Sequence, residues 1–297
     1  MKKTLTILFI ALFTNGYAQL LTLSDVKEIK QSKLILGLPN NEEVAEILKK
    51  MVSEYWTFVK IEEELPLEEA LAKSKKDDNI MVLCIENKKS SSLSRNTALG
   101  NQYKWVSMGL QLEIQKKNGK MVAWQAFPTF GENRNITEEG LAFGLTSLQF
   151  ILKSMISLEI KNNIKIEKAF DAVKHKLRKD TLYILDGWLD DDLTAAEIAK
   201  IYKKKFKIVG YEQWRDAILT KKEGIAYLVV VGAPIGGKYA YHHYLVNAKT
   251  GNVYGDIYPK MAASMDLGFK DVNLSKQNSG LVKKKNIEKY AEIFEQE

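Results

Sequence analysis

Hydrophobic positions along this chain follow two habits. Some form short continuous runs bounded by turn residues, which mark buried strands; others recur every three or four positions, which marks amphipathic helices. Read in order, the two habits repeat themselves. Lys33-Leu34-Ile35-Leu36-Gly37-Leu38 corresponds to Thr181-Leu182-Tyr183-Ile184-Leu185-Asp186, a strand ending in a polar loop. A helix follows in both, from Ala45-Glu46-Ile47 to Tyr55 and from Ala196-Glu197-Ile198 to Phe206. Next come a short strand (Thr57-Phe58-Val59; Lys207-Ile208-Val209) and a second helix (Leu67 to Leu71; Trp214 to Ile218). The most apolar strand of each copy then runs from Ile80 to Ile85 and from Tyr227 to Val231.

Each copy closes on a hairpin with glycine in its turn, at Asn118-Gly119 and at Thr250-Gly251, and Asn-Gly is a strong hairpin signal. The pattern predicts an α/β protein with mixed sheets: two tandem copies of a β-α-β-α-β-β-β module joined by a long helix. Strands linked through helices are parallel with right-handed crossovers, and the hairpin strands are antiparallel. A helix precedes each copy, around Asp25 to Lys30 and from Ile166 to Lys179, the latter with Ile166, Phe170, Val173 and Leu177 on one face. The connecting helix carries the stripe Leu141, Leu145, Leu148, Leu152 and Met155, with Asn135 and Glu138 spaced as N-cap and N3 partner. Its uncharged run between Glu139 and Lys153 is thirteen residues, short of the roughly 18 to 20 a membrane span requires. The predicted boundaries are a leader at 1–18, modules at 19–130 and 164–260, the connecting helix at 131–163, and a C-terminal tail with a short helix at 261–297. Residues Asn87 to Gln102 form a polar insertion that the second copy lacks.

The first residues add an address. Lys2 and Lys3, an apolar stretch from Leu5 to Phe13, and small residues at Gly16 and Ala18 make a secretory signal with cleavage expected after Ala18. The mature protein is expected in the periplasm or outside the cell, with no membrane span. The lone Cys84 lies in an apolar run, so a core thiol is expected and not a disulfide or a nucleophile. The formal charge is +7; without Lys2 and Lys3, 42 basic residues face 37 acidic ones, a net +5. Arginine occurs only at 95, 134, 178 and 215, and the lysines are scattered, so nucleic acid is not an expected partner.

Candidate chemistry is sparse. Gly232-Ala233-Pro234-Ile235-Gly236-Gly237-Lys238 has phosphate-loop spacing, but Tyr239 stands where Ser or Thr would hold Mg²⁺, and the segment from Tyr239 to Val246 alternates like a strand. Tyr241, His242, His243 and Tyr244 form the densest cluster of functional side chains. Adjacent strand residues face opposite ways, so the histidines do not chelate together; one is expected under the sheet and the other with tyrosines at the surface. Asp190, Asp191 and Asp192 follow the first strand of the second copy, where helix capping is the reading preferred over a metal. Trp188 and Trp214 complete a set of candidate surface aromatics for ligand binding. Asp171 and His175, one turn apart, read as a surface contact. No catalytic residue, metal site or cofactor is expected.

In element order and in its terminal hairpin, each copy resembles the small α/β modules of the TolB amino-terminal domain and of CsgG-like envelope proteins. The resembling segments include the helix from Ala196 toward Phe206 and the hairpin Tyr244-Leu245-Val246-Asn247-Ala248-Lys249-Thr250-Gly251-Asn252-Val253-Tyr254. The chain departs from them in having two copies, no lipidation cysteine and no propeller. The resemblance implies a non-enzymatic binding or assembly protein of the bacterial envelope, with a protein or other envelope component as partner. The alternative is a hydrolase or metal-dependent enzyme using His242 or His243 with the Asp190–Asp192 loop.

Overall fold

The computed structural model describes residues 21–85, 110–130, 135–235, 238–257 and 281–295. The expected leader, the Asn87–Gln102 insertion and the start of the tail lie outside them. In the first copy the order is α1 (Leu23–Gln31), β1 (Lys33–Leu38), α2 (Glu42–Tyr55), β2 (Ile61–Pro66), α3 (Leu67–Lys76), β3 (Ile80–Ile85), β4 (Leu110–Lys116), β5 (Lys120–Phe127) and α4 (Glu138–Ser157). The second copy repeats it as α5 (Glu167–Lys174), β6 (Thr181–Leu185), α6 (Ala195–Ile201), β7 (Phe206–Val209), α7 (Tyr211–Leu219), β8 (Ile225–Ile235), β9 (Lys238–Asn247), β10 (Val253–Ile257) and α8 (Lys284–Glu295).

The sheets are one topology built twice, β2-β1-β3-β4-β5 and β7-β6-β8-β9-β10. The first three strands of each are parallel and the last two add antiparallel. The chain steps outward from β1 to β2 and then back across β1 to β3. With right-handed crossovers, that reversal puts α2 and α3 on opposite faces of the sheet, and α6 and α7 likewise. Both hairpin turns place glycine at positive φ, +68° at Gly119 and +69° at Gly251, a conformation that costs glycine nothing sterically.

The repeat is longer than periodicity reveals. α4 packs on α1, α2 and β5 of its own copy, and α8 packs on α6 and β10 of the other. They are equivalent ninth elements, so α4 is part of the first module as well as the link to the second. It also packs on α5 and α7 of the second module, joining both into one hydrophobic core. The stripe Leu141, Leu145, Leu148, Leu152 and Met155 is fully buried. Among the described residues α4 alone is long and apolar enough to cross a membrane, and 72% of that stretch is buried inside the protein. A smaller core of Ile35, Leu67, Ala70, Val82 and Cys84 lies under α3 on the other face. Burial there pushes the Cys84 thiol up to about 12, the inert state of a core cysteine.

Side chains tie the modules further. The Phe130 ring lies against Tyr211 and Trp214 at 5.6 and 5.8 Å. Glu138 pairs with both Lys50 and Arg215, and the Tyr211 hydroxyl donates to buried Glu139. The Tyr55 hydroxyl donates to the Leu219 carbonyl at 3.0 Å.

Several local expectations differ from the structure. The short strand of the first copy is Ile61–Pro66 and not Thr57–Val59. Gln149 of α4 takes the Thr57 N–H at 3.0 Å and donates to the Tyr55 carbonyl at 2.8 Å, so these backbone groups serve α4. The strand forms one turn later, through a glutamate run whose apolar signal is weak because it lies at an edge. α6 stops at Ile201, with Phe206 already in β7 opposite Leu182. α4 is capped by Thr137, whose hydroxyl accepts from Gly140 N at 3.3 Å, and not by Asn135. The helix expected over Ile166–Lys179 is α5 followed by a 3₁₀ turn over His175–Lys179, with Leu177 fully buried and Ile166, Phe170 and Val173 partly so.

Candidate functional site: a histidine, aspartate and tyrosine cluster between the modules

The long strand β9 decides where its functional side chains go. Alternation sends His243 to the face covered by α8 and His242 to the face toward α4. His243 is buried and hydrogen-bonded through Nδ1 to the Tyr290 hydroxyl of α8 at 2.5 Å. Burial, with like charge from His242 and Lys289, lowers its pKa to about 3, so it is a neutral core residue.

His242 keeps 20% side-chain exposure and places Nδ1 at 3.0 and 3.1 Å from the two carboxylate oxygens of Asp256 on β10. Asp256 lies opposite Tyr244 across the β9–β10 pair. The Asp256 carboxylate and the Gln125 amide of β5, which belongs to the other module, both act on the Tyr244 phenol. Its ring stacks on His242 at 5.8 Å and leans on Phe143 of α4 at 5.2 Å. His242 sits opposite Val231, toward the carboxyl end of β8, where open α/β sheets bind ligands.

The electrostatics come from this packing. Burial alone would lower the His242 pKa, but the charge of Asp256 and its hydrogen bond outweigh burial, and the net shift is upward. Burial and Asp256 hold the Tyr244 phenol well above its usual range. Asp256 therefore favours the protonated form of His242 and fixes the orientation of the ring. Such a dyad can act as an acid or base.

The other candidate residues are scattered. Trp188 and Trp214 are not at the surface: both are fully buried, in an edge-on pair at 5.2 Å, and the Trp214 indole donates to the Leu228 carbonyl at 3.0 Å. Tyr241 is partly buried against the core. Asp190 donates its backbone N–H to Val282 at 3.1 Å, and its carboxylate lies 3.6 Å from Lys283, ahead of α8. Asp191 and Asp192 are exposed. None of the three caps α6, because Thr194 and Glu197 form a reciprocal capping box there. Asp256, not the Asp190–Asp192 loop, is the carboxylate on His242. Of the glycine-rich string, Gly232 to Ile235 lie on β8 and Lys238 begins β9, with Ile235 opposite Lys238, so a strand follows it and a phosphate-binding helix N-terminus does not. Asp171 pairs with Lys174 at 2.9 Å. Among the described residues no group of three or more His, Cys, Asp or Glu side chains could hold a metal.

Asp256 and Gln125 escape sequence reading. A shift of register between Val253 and Gly255 moves Asp256 by one place along the hairpin, and Gln125 reaches Tyr244 only because β5 packs against β8.

A second feature lies at the edge of the first sheet. Beside β2 runs an open groove of about 410 Å³, lined by residues that include Val52, Trp56, Val59, Ile61 and Glu64. No protein-family model, curated protein or solved structure significantly matches this chain.

Proposed function

We propose that this chain is an exported, non-enzymatic binding or assembly protein of the bacterial envelope, and that it binds through an open sheet edge. The observation that supports it is the groove beside β2, lined by Val52, Trp56, Val59 and Ile61 together with Ser53, Thr57, Lys60 and Glu64, along a strand that among the described residues pairs only with β1. An extended segment of another protein adds to such an edge through backbone hydrogen bonds, with the groove receiving its side chains. The resemblance of each module to TolB and CsgG-like envelope modules points the same way. Export is tested by the mass of the mature protein, expected to begin at Gln19. Binding is tested by capture from envelope extracts, followed by rebinding of the captured protein in purified form. The variant Ile61→Lys/Glu64→Lys, which changes two groove-lining residues, is expected to weaken that rebinding at least tenfold while still unfolding cooperatively. Equal affinity for both forms would sink the proposal.

The second reading is a hydrolase, and the His242–Asp256 dyad is what favours it. It takes the carboxylate from Asp256 in place of the Asp190–Asp192 loop. Turnover of ester or peptide substrates by the wild type, lost in both His242→Gln and Asp256→Asn, would establish it.

A further inference from the structure

We propose that the protein associates head to tail with a second copy of itself, edge strand β2 of one copy pairing with edge strand β7 of the next. This rests on the reading of open sheet edges as binding surfaces. β2 and β7 hold the same place in the two copies of the sheet, and the described residues place no strand beyond either. An outermost strand presents backbone N–H and C=O groups that a further strand can pair.

The two edges carry opposite charge. Residues 60–66 hold Lys60 against Glu62, Glu63 and Glu64, a net −2, whereas residues 203–209 hold Lys203, Lys204, Lys205 and Lys207, a net +4. All these charged side chains are exposed. Lys60 pairs with Glu62 and Lys73 of α3 with Glu63. Glu64 and the four lysines make no ion pair among the described residues, so the basic edge is the less compensated of the two.

Charges on an edge strand commonly keep other strands away. Here they oppose β2 meeting β2 and β7 meeting β7, while the unlike pairing escapes that repulsion. Charge thus selects one pairing out of three. The apolar parts match as well: the groove floor of Trp56, Val59 and Ile61 lies beside β2, and half-buried Phe206 and Ile208 lie on β7. The contact joins two different patches, so it either propagates as a chain of copies or closes as a ring. β7 has four residues and β2 six, which makes the contact short, weak and salt-sensitive.

Sedimentation of the purified protein between about 10 μM and 1 mM tests it, at salt from about 20 to 500 mM, a range that strips exposed charges of most of their attraction. The weight-average mass is expected to rise with concentration at low salt and to return to the monomer value at high salt. Glu62→Lys/Glu63→Lys/Glu64→Lys makes both edges basic, and Lys203→Glu/Lys204→Glu/Lys205→Glu makes both acidic. Each variant alone is expected to stay monomeric with wild-type melting, and an equimolar mixture to associate again. Zero-length carboxyl–amine cross-linking of the wild type is expected to join segment 60–66 of one copy to 203–209 of another, a readout independent of how the variants fold. A wild type that is monomeric throughout, a mixture of folded variants that does not associate, or cross-links confined to other segments would overturn the pairing. A monomeric wild type that still captures an envelope protein through the β2 groove would overturn this inference and leave the binding reading standing.

Discussion

The helices that end the two copies occupy equivalent places and are built to opposite specifications. α4 buries residues around its whole circumference, including Leu141, Phe143, Leu145, Leu148 and Leu152. α8 turns Ile287 and Tyr290 inward and leaves Lys284, Lys285, Glu288 and Glu292 exposed. The second crossover helices differ the same way: α7 buries Trp214 and faces α4, while α3 exposes Glu68, Glu69, Lys73, Lys75 and Lys76. One fold made twice thus meets at an apolar joint centred on α4, which packs on α5 and α7, and turns polar faces outward on α3 and α8. Repeat proteins use polar terminal faces in the same manner, to keep the ends of the stack soluble.

The largest test of that contrast is to weaken the joint. Leu148→Ala is expected to cost about 2 to 5 kcal/mol, the range for leucine truncation in a packed core. It should do so for both modules at once, because α4 belongs to a core they share. Leu67→Ala, in the small core under α3, is expected to fall at the lower end of that range. Urea unfolding followed by tryptophan fluorescence and by circular dichroism distinguishes the two. Non-coincident transitions in Leu148→Ala would show that the modules unfold separately.

Next in size are the two hairpin turns. Gly119 and Gly251 share the same positive φ, but a Cβ at Gly251 would overlap Cβ of Thr146 in α4, whereas the nearest atom at Gly119 is 3.6 Å away. Gly119→Ala is expected to cost only the left-handed backbone term, about 1 to 2 kcal/mol. Gly251→Ala adds a clash with the joint helix worth roughly 1 to 3 kcal/mol more. Similar melting temperatures for the two variants would mean that the second hairpin is not seated on α4.

The most specific effect separates two adjacent histidines. His243 has a folded pKa of about 3 against about 6.5 unfolded, so its contribution is present above that unfolded value and is lost as pH falls toward 3. His242 has its folded pKa raised by Asp256. Its contribution is complete below the unfolded value and is lost as pH rises through the folded one. The denaturation midpoint is therefore expected to fall on both sides of a mildly acidic optimum. His243→Phe should flatten the acid limb and His242→Gln the alkaline limb; a limb unchanged by its variant would remove that histidine from the account.

Much of this fold is legible in the sequence because the informative strands are short apolar runs. Met81, Val82, Leu83 and Cys84 read as a strand buried on both faces, and Leu182 to Leu185 likewise. β2 is the counterexample: an edge strand needs no apolar face, so Glu62-Glu63-Glu64 carries no strand signal. Of the cluster between the modules, His242 and Tyr244 stand out in the sequence as residue types. Asp256 and Gln125 do not, since nothing local marks a carboxylate as a neighbour of a histidine 14 residues earlier or a glutamine as a neighbour in another module. The two tryptophans mislead for the same reason: their size suits a binding surface or a core, and only packing tells which.

The duplicated α/β order, the turn glycines and the buried stripe of α4 can be read from the chain alone. Each of these depends on interactions over a few residues, through side-chain periodicity, capping or backbone sterics. It takes the packing of the whole molecule to make α4 serve two modules, to set His242 against Asp256 while His243 is sealed beneath α8, and to leave β2 and β7, among the described residues, each paired on one side only. Those outcomes depend on which surfaces of distant segments meet, and in a close-packed interior that is settled by the shape of the whole core.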